Sequence, residues 1–507
     1  MHPPPLRPAR LIFAGMIFGA VAARAEVTLP ALFSDHLVLQ RDVAVPVWGG
    51  ADPGEQVTVR GFGQTKSTTA GADGRWRLTL DQLHAGAPTT LSVTGRNTIT
   101  IDDVRVGEVW LCSGQSNMVM PVRNAHDGER ETATADLPQL RVFTVESEAA
   151  AQPQRDCRGQ WVVCSPQSAG RFAATAFFFG RELQRALGVP VGLVVSSLGS
   201  TPIESWIAED VQRAAGPLQP YFPILEKLNR ESVAPGVMAR HERALAQWQQ
   251  AVEKARADNL PLPKQPVTPA TRAAKKNDVG GLFNGKIAPL IPYAIRGAIW
   301  YQGENNSQLE KAPFYQHQLP LLIQDWRARW GYEFPFAWVQ LPGFNAPGRD
   351  WPMVREAMLK TLALPKTGMA VTIDVGEEDQ IHPKNKQEVG RRLSLWALGT
   401  VYGHKVPATS GPLPAGQEIR GREIGLRFTH ADGGLRAKGG KLQGFVIAGD
   451  DRQWKPAQAR IEGGQVVVSS PDVPSPAAAR YAWENFPHCN LTNGAGLPAT
   501  PFRTDAW

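Results

Sequence analysis

The sequence predicts an α/β fold, a mainly parallel sheet flanked by helices, set between two β-rich regions. Three observations lead there: short alternating strands separated by turn residues follow residue 25, buried-looking strands alternate with helical runs from about 104 to 402, and strand-like segments return from 403. Alternation of strand and helix in the middle implies parallel pairing, with a site gathered at the carboxyl ends of the strands. At 507 residues and 42% apolar content, the chain is long enough for two or three domains around a sizeable core.

Residues 1–25 have the pattern of a secretory signal. Arg7 and Arg10 precede the apolar run Leu11 to Val21, and Ala23, Arg24 and Ala25 make a cleavage site of the AxA kind before Glu26. That run is too short for a confident membrane span and no later segment resembles one, so export to the periplasm or extracellular space is expected, without membrane association after cleavage. The formal charge of +7 falls to +4 once the three arginines of the leader are removed. The basic residues are dispersed, with the short run Lys275–Lys276 in a polar connector, so nucleic-acid binding is not expected, although acidic sugars would benefit from the balance.

From Glu26 to about Asp103 the segments LVLQ, VAVPVWGG, QVTVRGFG, RWRLTL, TLSVTG and TITIDDV alternate with turns, which predicts a β-sandwich-like domain. In the 104–402 region, FAATAFFFGRELQRALG has the apolar spacing of a helix with a Gly stop, VPVGLVVSSLG and RGAIWYQGE run from buried strand into polar loop, and an amphipathic helix is expected from Lys386. Residues 207–278 break the alternation with a helical run over Pro235 to Asp258 and a Pro-rich stretch over Leu260 to Pro269, an insertion that would form one wall of a cleft or merely cover the core. In the β-rich region 403–507, Trp454 suits either a sugar platform or ordinary packing.

Four cysteines occur. Cys157 and Cys164 flank RGQWVV and are expected to staple a hairpin, whereas Cys112, in an apolar strand, fits a buried core thiol. His36, His126 and His241 stand in unlike contexts and no phosphate-binding loop is present, so neither metal nor cofactor is expected. Asn490 opens the sequon NLT. The sequence carries no signal for oligomeric state.

The residues that suggest chemistry sit at strand ends. VWLCSGQSNM, Val109 to Met118, ends an apolar strand in GQSN and places Ser116 at a turn where its hydroxyl can leave the sheet edge and the amides around Ser116 and Asn117 can face an oxyanion. Alone this is an ordinary turn. His382, in EEDQIHPKNK, supplies a base, and Asp379 three residues earlier supplies a carboxylate to orient it, with Asp374, Glu377 and Glu378 as acidic alternatives. VSSLGSTPIESW brings Gly199, and WYQGENN brings the amides of Gln302, Asn305 and Asn306, as further donors at separate strand ends, together with the acid Glu304.

Taken together, LFSDHLVLQRD, GEVWLCSGQSNM, SSLGSTPIESW, GLFNGKIAPLIPYAIRGAIWYQGENN, IHPKNKQEVGRRL and GLPATPFRTD resemble the sialate O-acetylesterase family, within the SGNH or GDSL-like serine hydrolases, across most of the chain. The resemblance implies an SGNH-hydrolase-like parallel-sheet domain with attached β-regions and metal-independent removal of O-acetyl groups from a carbohydrate partner. It implies Ser116 as nucleophile, His382 as base with Asp379 as its acid, and an oxyanion hole from Ser116, Gly199 and Gln302. Asn117, Glu304 and Asn305 are candidate supports. The chain departs from the pattern at Ser200, where family members often carry a second glycine. The rival substrates are acetylated xylan or xyloglucan, and the rival class is an inactive carbohydrate-binding protein.

Overall fold

The computed structural model describes residues 26–232, 235–258, 262–263, 266 and 277–507; the expected signal at 1–25, most of the Pro-rich stretch and Lys275–Lys276 lie outside them. The first strands are β1 (Val38–Gln40), β2 (Val45–Gly50), β3 (Gln56–Gly61), β4 (Gln64–Thr69), β5 (Arg75–Leu80) and β6 (Thr89–Thr94), followed by the 17-residue β7 (Thr98–Gly114). The antiparallel pair β2–β5 and the sheet β4–β3–β6–β7 carry alternating buried residues, among them Val47, Trp76 and Leu80 against Val59, Leu91 and Val93, so one face of each is apolar and closes on the core.

Strand β7 crosses the boundary expected at 103–104. Its first half is half-exposed and pairs antiparallel with β6; from Val106 onward every residue is buried and the strand becomes the centre of a parallel sheet. The transition is a bulge at Asp103, whose φ of 53° is left-handed. Its carbonyl and carboxylate accept hydrogen bonds from the buried Arg141, at 2.6 and 2.9 Å.

The central sheet adds β8 (Leu137–Thr144), β9 (Trp161–Cys164), β10 (Val191–Ser197), β11 (Gly297–Tyr301), β12 (Phe336–Val339) and β13 (Thr367–Ala370), in the order β13-β12-β11-β7-β10-β8-β9. All are parallel except the edge strand β9. Period-two alternation sends Val109, Leu111, Ala298, Trp300 and Trp338 to one face and Trp110, Cys112, Ile299 and Tyr301 to the other.

The helices that cover those faces are read in chain order. After the single turn α1 (Ser116–Val119) and α2 (Gly128–Ala133) comes α3 (Ala174–Leu187), ended by Gly188 in the left-handed region. The insertion forms α4 (Glu209–Ala214), α5 (Tyr221–Ser232) and α6 (Pro235–Ala257), and α7 (Tyr315–Trp330), α8 (Trp351–Thr361) and α9 (Lys386–Trp396) follow. Helices α7 and α8 pack on the first face through Leu319, Leu322, Trp326, Val354 and Met358; α3 and α9 pack on the second through Phe178, Phe179, Leu183, Val389 and Leu393. The result is the expected three-layer α/β arrangement. Among the described residues no helix is long and apolar enough to cross a membrane.

Beyond residue 403 the chain is antiparallel, with a separate apolar core that includes Ile424, Ile447, Val466 and Tyr481. Trp454 is half-buried there, with the Arg480 guanidinium 4.0 Å from its ring centre, so one face belongs to packing. Asn490 of the sequon donates its amide hydrogens to the carbonyls of Lys438 and Lys441.

The expected staple between Cys157 and Cys164 is corrected: both are free, as are Cys112 and Cys489. RGQWVV does not fold back on itself. Strand β9 instead pairs with β8, which puts Cys164 level with Leu137, while Arg158, beside Cys157, bonds to Glu146 and Ser147 past the other end of β8. An eight-residue strand separates the thiols by roughly 20 Å, far beyond the Cα spacing of about 4.4–6.8 Å that a disulfide spans.

At the amino end of the parallel part of β7, the fully buried Glu108 accepts from Arg41 at 2.5 Å, Arg296 at 2.7 Å, Gln40 at 3.1 Å and Tyr402 at 2.9 Å. Glu108→Ala leaves two guanidinium groups facing a buried, uncompensated gap, and is expected to destabilise the protein by about 3–5 kcal/mol in urea unfolding. Alkylation in denaturant without reductant is expected to modify all four cysteines, as counted by intact mass; fewer adducts would restore a disulfide.

Candidate active site

The site begins with a steric requirement at the end of β7. Gly114, at φ 138°, lies so close to the Tyr301 backbone that a Cβ there would overlap the Tyr301 carbonyl oxygen, and the next amide, of Gln115, donates to that oxygen at 2.9 Å. The chain therefore leaves the sheet and turns into α1 with Ser116 as its first residue, half-exposed and with no side chain capping that turn. Gly114 is in register with Ser197 of β10 and Tyr301 of β11, so the loops after all three strands meet at one level. This is the point where the chain order reverses, with β10 on one side of β7 and β11 on the other.

Ser116 and His382 line the same open groove of about 590 Å³, with Met120, Pro121, Arg123, Asn124, Ala125, Gln380 and Lys384. Among the described residues no acidic side chain lines it. No hydrogen bond joins the serine hydroxyl to the imidazole, a looseness common before substrate tightens a site. Burial, with a further contribution from the Lys386 charge, holds the His382 imidazole below its ordinary value, which favours the neutral form that can accept a proton.

Gly199 lies against Ser116: a Cβ built on it would sit 3.6 Å from the Ser116 Cβ. The departure at Ser200 also has a backbone meaning, because Ser200 adopts φ 58°, the left-handed region that glycine enters freely. The serine keeps the loop shape at a conformational cost of about 1 kcal/mol. Its carbonyl accepts from Asn305 Nδ2 at 3.3 Å, and the Asn305 amide donates to Gln115 Oε1 at 3.4 Å, so Asn305 joins the three loops.

Two expected roles are not met by the geometry. Gln302 is fully buried, its Nε2 donating to Thr201 O at 3.1 Å and Asn306 Oδ1 at 2.7 Å while Tyr315 donates to its Oε1 at 3.0 Å. Both amide hydrogens are thus committed behind the Gly199 loop, in a mesh that continues from Asn306 to the buried Glu204, itself bound by Lys311 and by Tyr221 of the insertion. Gln302 shapes the loop and does not face the groove. Asp379 is exposed on a turn closed by Gln380 N to Glu377 O, and makes no hydrogen bond or ion pair with His382. Of the acidic alternatives, Asp374 is locked to Arg392 at 2.6 Å, Glu377 accepts from the Lys384 amide at 2.8 Å, and Glu378 is exposed. The spacing DxxH puts both groups on one short loop, but Asp379 is exposed on the turn at 377–380 and does not line the groove.

Asn117 and Glu304, expected as supports, do meet. Asn117 Nδ2 donates to Glu304 Oε1 at 2.5 Å and to Ile381 O at 3.0 Å, and its Oδ1 accepts from Lys386 Nζ at 2.6 Å. Sequence reasoning took Lys386 only as the start of a helix. Its signal was present, since Lys386, Val389 and Leu393 share the buried face at helical spacing, and a lysine in that row is anomalous. Arg123 and Lys384, which no motif in the sequence singles out, also line the groove. Among the described residues no group of three His, Cys, Asp or Glu side chains is placed to hold a metal ion.

A family model described as carbohydrate esterase, sialic acid-specific acetylesterase, matches residues 283–397, the part that carries Glu304, His382 and Lys386. The sialate O-acetylesterases of Rattus norvegicus and Homo sapiens are each 29% identical to this chain, covering 92% of it and 92% and 91% of their own lengths. The crystal structure of a carbohydrate acetylesterase from Xanthomonas citri superposes with a TM-score of 0.81 at 36% identity, over 95% of this chain and all of that one. With this likeness along nearly its whole length, the chain belongs to the sialate O-acetylesterase family of SGNH-like carbohydrate esterases.

Proposed function

We propose that the protein is an exported serine esterase that removes O-acetyl groups from acidic glycans, with 9-O-acetylated sialic acid as the candidate substrate. Export rests on the leader pattern of residues 1–25. The observation that carries the substrate class is the groove itself: beside Ser116 and His382, its ionisable lining among the described residues is Arg123 and Lys384, with the Glu377 carboxylate held on the Lys384 amide behind it. A carboxylate on the sugar would find a guanidinium there, while the acetyl ester reaches the serine. The names of the mammalian relatives agree with this choice.

In the proposed reaction, His382 takes the proton of Ser116 Oγ as that oxygen attacks the acetyl carbonyl. The amides of Ser116 and Gly199 face the developing oxyanion, and the Gln302 mesh contributes by holding the Gly199 loop against Ser116. The imidazolium then protonates the departing sugar oxygen. Water, deprotonated by His382, attacks acetyl-Ser116; as the bond to Oγ breaks the imidazolium returns the proton to Ser116, releasing acetate.

Acetate release from O-acetylated sialic acid, acetylated xylan and acetylated xyloglucan tests this directly. Ser116→Ala is expected to lower kcat by more than about 10³-fold with an unchanged circular dichroism spectrum; retained activity would remove Ser116 from the mechanism. Arg123→Ala is expected to raise KM about tenfold for the acidic substrate, the worth of one charge-assisted hydrogen bond, and to leave neutral acetylated xylan unaffected. Preferential turnover of xylan or xyloglucan by the parent protein would overturn the acidic substrate, and no turnover of any ester would favour a binding role.

A further inference from the structure

The Glu304–Asn117–Lys386 network lies beneath the groove and the reaction above does not use it. Asn117 follows Ser116, and Ile381, whose carbonyl Asn117 binds, precedes His382. One amide side chain therefore ties the serine turn to the histidine loop, and its remaining donor and acceptor tie both to the loop after β11 and to the start of α9. Asn117, Glu304 and Lys386 are all buried. Thr175 of α3 donates to the Asn117 carbonyl at 3.2 Å, which fixes the backbone that carries Ser116.

The network is poorly built for stability. Lys386 Nζ has Asn117 as its hydrogen-bond acceptor and stands 5.1 Å from the centre of the Tyr301 ring, with no carboxylate within ion-pair distance. Glu304 Oε2 and the Tyr301 hydroxyl have no hydrogen-bond partner among the described residues. A lysine and a glutamate buried so incompletely cost more than apolar side chains of the same volume would. Such an arrangement, placed between the two reacting residues, points to function.

We propose that Lys386 and Glu304, joined through Asn117, are positioning residues that hold the Ser116 turn in register with the His382 loop and set the charge that the imidazole experiences. This rests on Ser116 and His382 being the reacting pair. The electrostatics support the geometry. Burial brings the Lys386 ammonium down to about 7, with Glu304 and Glu377 opposing the fall, and burial raises the Glu304 carboxyl above the usual carboxylate range. Lys386 from α9 is the charge that bears on the His382 imidazole; Lys384, Glu377, Glu378 and Asp379 stand on its own loop, and Arg123 lines the same groove. A positive Lys386 disfavours imidazolium, so His382 stays a base to lower pH than it otherwise would.

Removing the positive charge lets the His382 pKa rise, and because the neutral imidazole is the active form, the acid limb of kcat/KM moves to higher pH. Lys386→Met is expected to show that upward shift together with a loss in kcat of up to about 10²-fold, the effect of a small misplacement of reacting groups, while KM changes little. Glu304→Gln keeps an acceptor for Asn117 and the side-chain shape, so it guards against a Lys386→Met protein that does not fold. Without the carboxylate Lys386 deprotonates at lower pH, which weakens its repulsion of the imidazolium, and the limb again moves up. The titration of the His382 ring followed by NMR in Ser116→Ala, with and without each change, gives the same comparison without turnover. An unmoved His382 titration in both variants would overturn the proposal even where acetate release depends on Ser116, whereas activity that survives Ser116→Ala would instead overturn the reacting pair.

Discussion

Everything at the site depends on the close approach of Gly114 to the Tyr301 carbonyl. Two parallel strands lie at their ordinary spacing up to that point, and only a residue without a side chain lets the backbone turn out of the sheet there. Because Gly114 is also level with Ser197, the turn delivers Ser116 into the crevice between the loops that follow β10 and β11. Gly199 on one side and the Glu304 loop on the other are placed by that register. The histidine loop comes from beyond β13 and reaches the same groove through the Asn117 link to Ile381.

The two ends of the parallel half of β7 have opposite characters. At its amino end Glu108 is saturated by two arginines, a glutamine and a tyrosine, which pins β1, the start of β11 and Tyr402 to one strand. At its carboxyl end buried polar atoms without a protein partner collect at the strand termini: Ser113 Oγ, Ser197 Oγ, the Tyr301 hydroxyl and Glu304 Oε2. Between them lie the indole of Trp110 and the side chains of Leu111 and Cys112, packed on both faces by helices. A rigid apolar strand with one saturated end can carry an under-satisfied end without local unfolding, which is how a fold retains polar groups that stability alone would remove.

The features legible in the sequence were those fixed by local pattern. Period-two burial identified the strands, Gly188 ended α3 where a left-handed residue was needed, and the apolar run into GQSN located the turn at Ser116. What was not legible depended on where a side chain points after tertiary packing. Cys157 and Cys164 are close in sequence, but β9 carries one of them the length of β8 away from the other. Gln302 has the chemistry of an oxyanion donor, yet Asn306 and Thr201 take its hydrogens. Asp379 has the spacing of a histidine partner, yet it lies exposed on the turn at 377–380 with no bond to His382. The change of pattern near residue 103 suggested a domain break, whereas Asp103 forms a bulge inside a continuous strand, since Arg141 compensates both its carbonyl and its carboxylate.

The β-region after residue 403 is more than an appendage, because it braces the wall of the site on the β12 side. Arg355 of α8, fully buried, donates to the carbonyls of Leu341 and Pro342 in its own domain and to those of Glu484 and Asn485 in the β-region. Asn485 in turn donates to the carbonyls of Ala346 and Arg349, and Arg349 donates to the Glu304 carbonyl at 3.1 Å. The chain of contacts runs from the second core to the residue that holds Asn117. A guanidinium taken wholly out of water is tolerated only where its donors are met, and here both sets of acceptors must be in place at once. Docking of the β-region is therefore coupled to the geometry of the Glu304 loop, and through Asn117 to the serine turn itself.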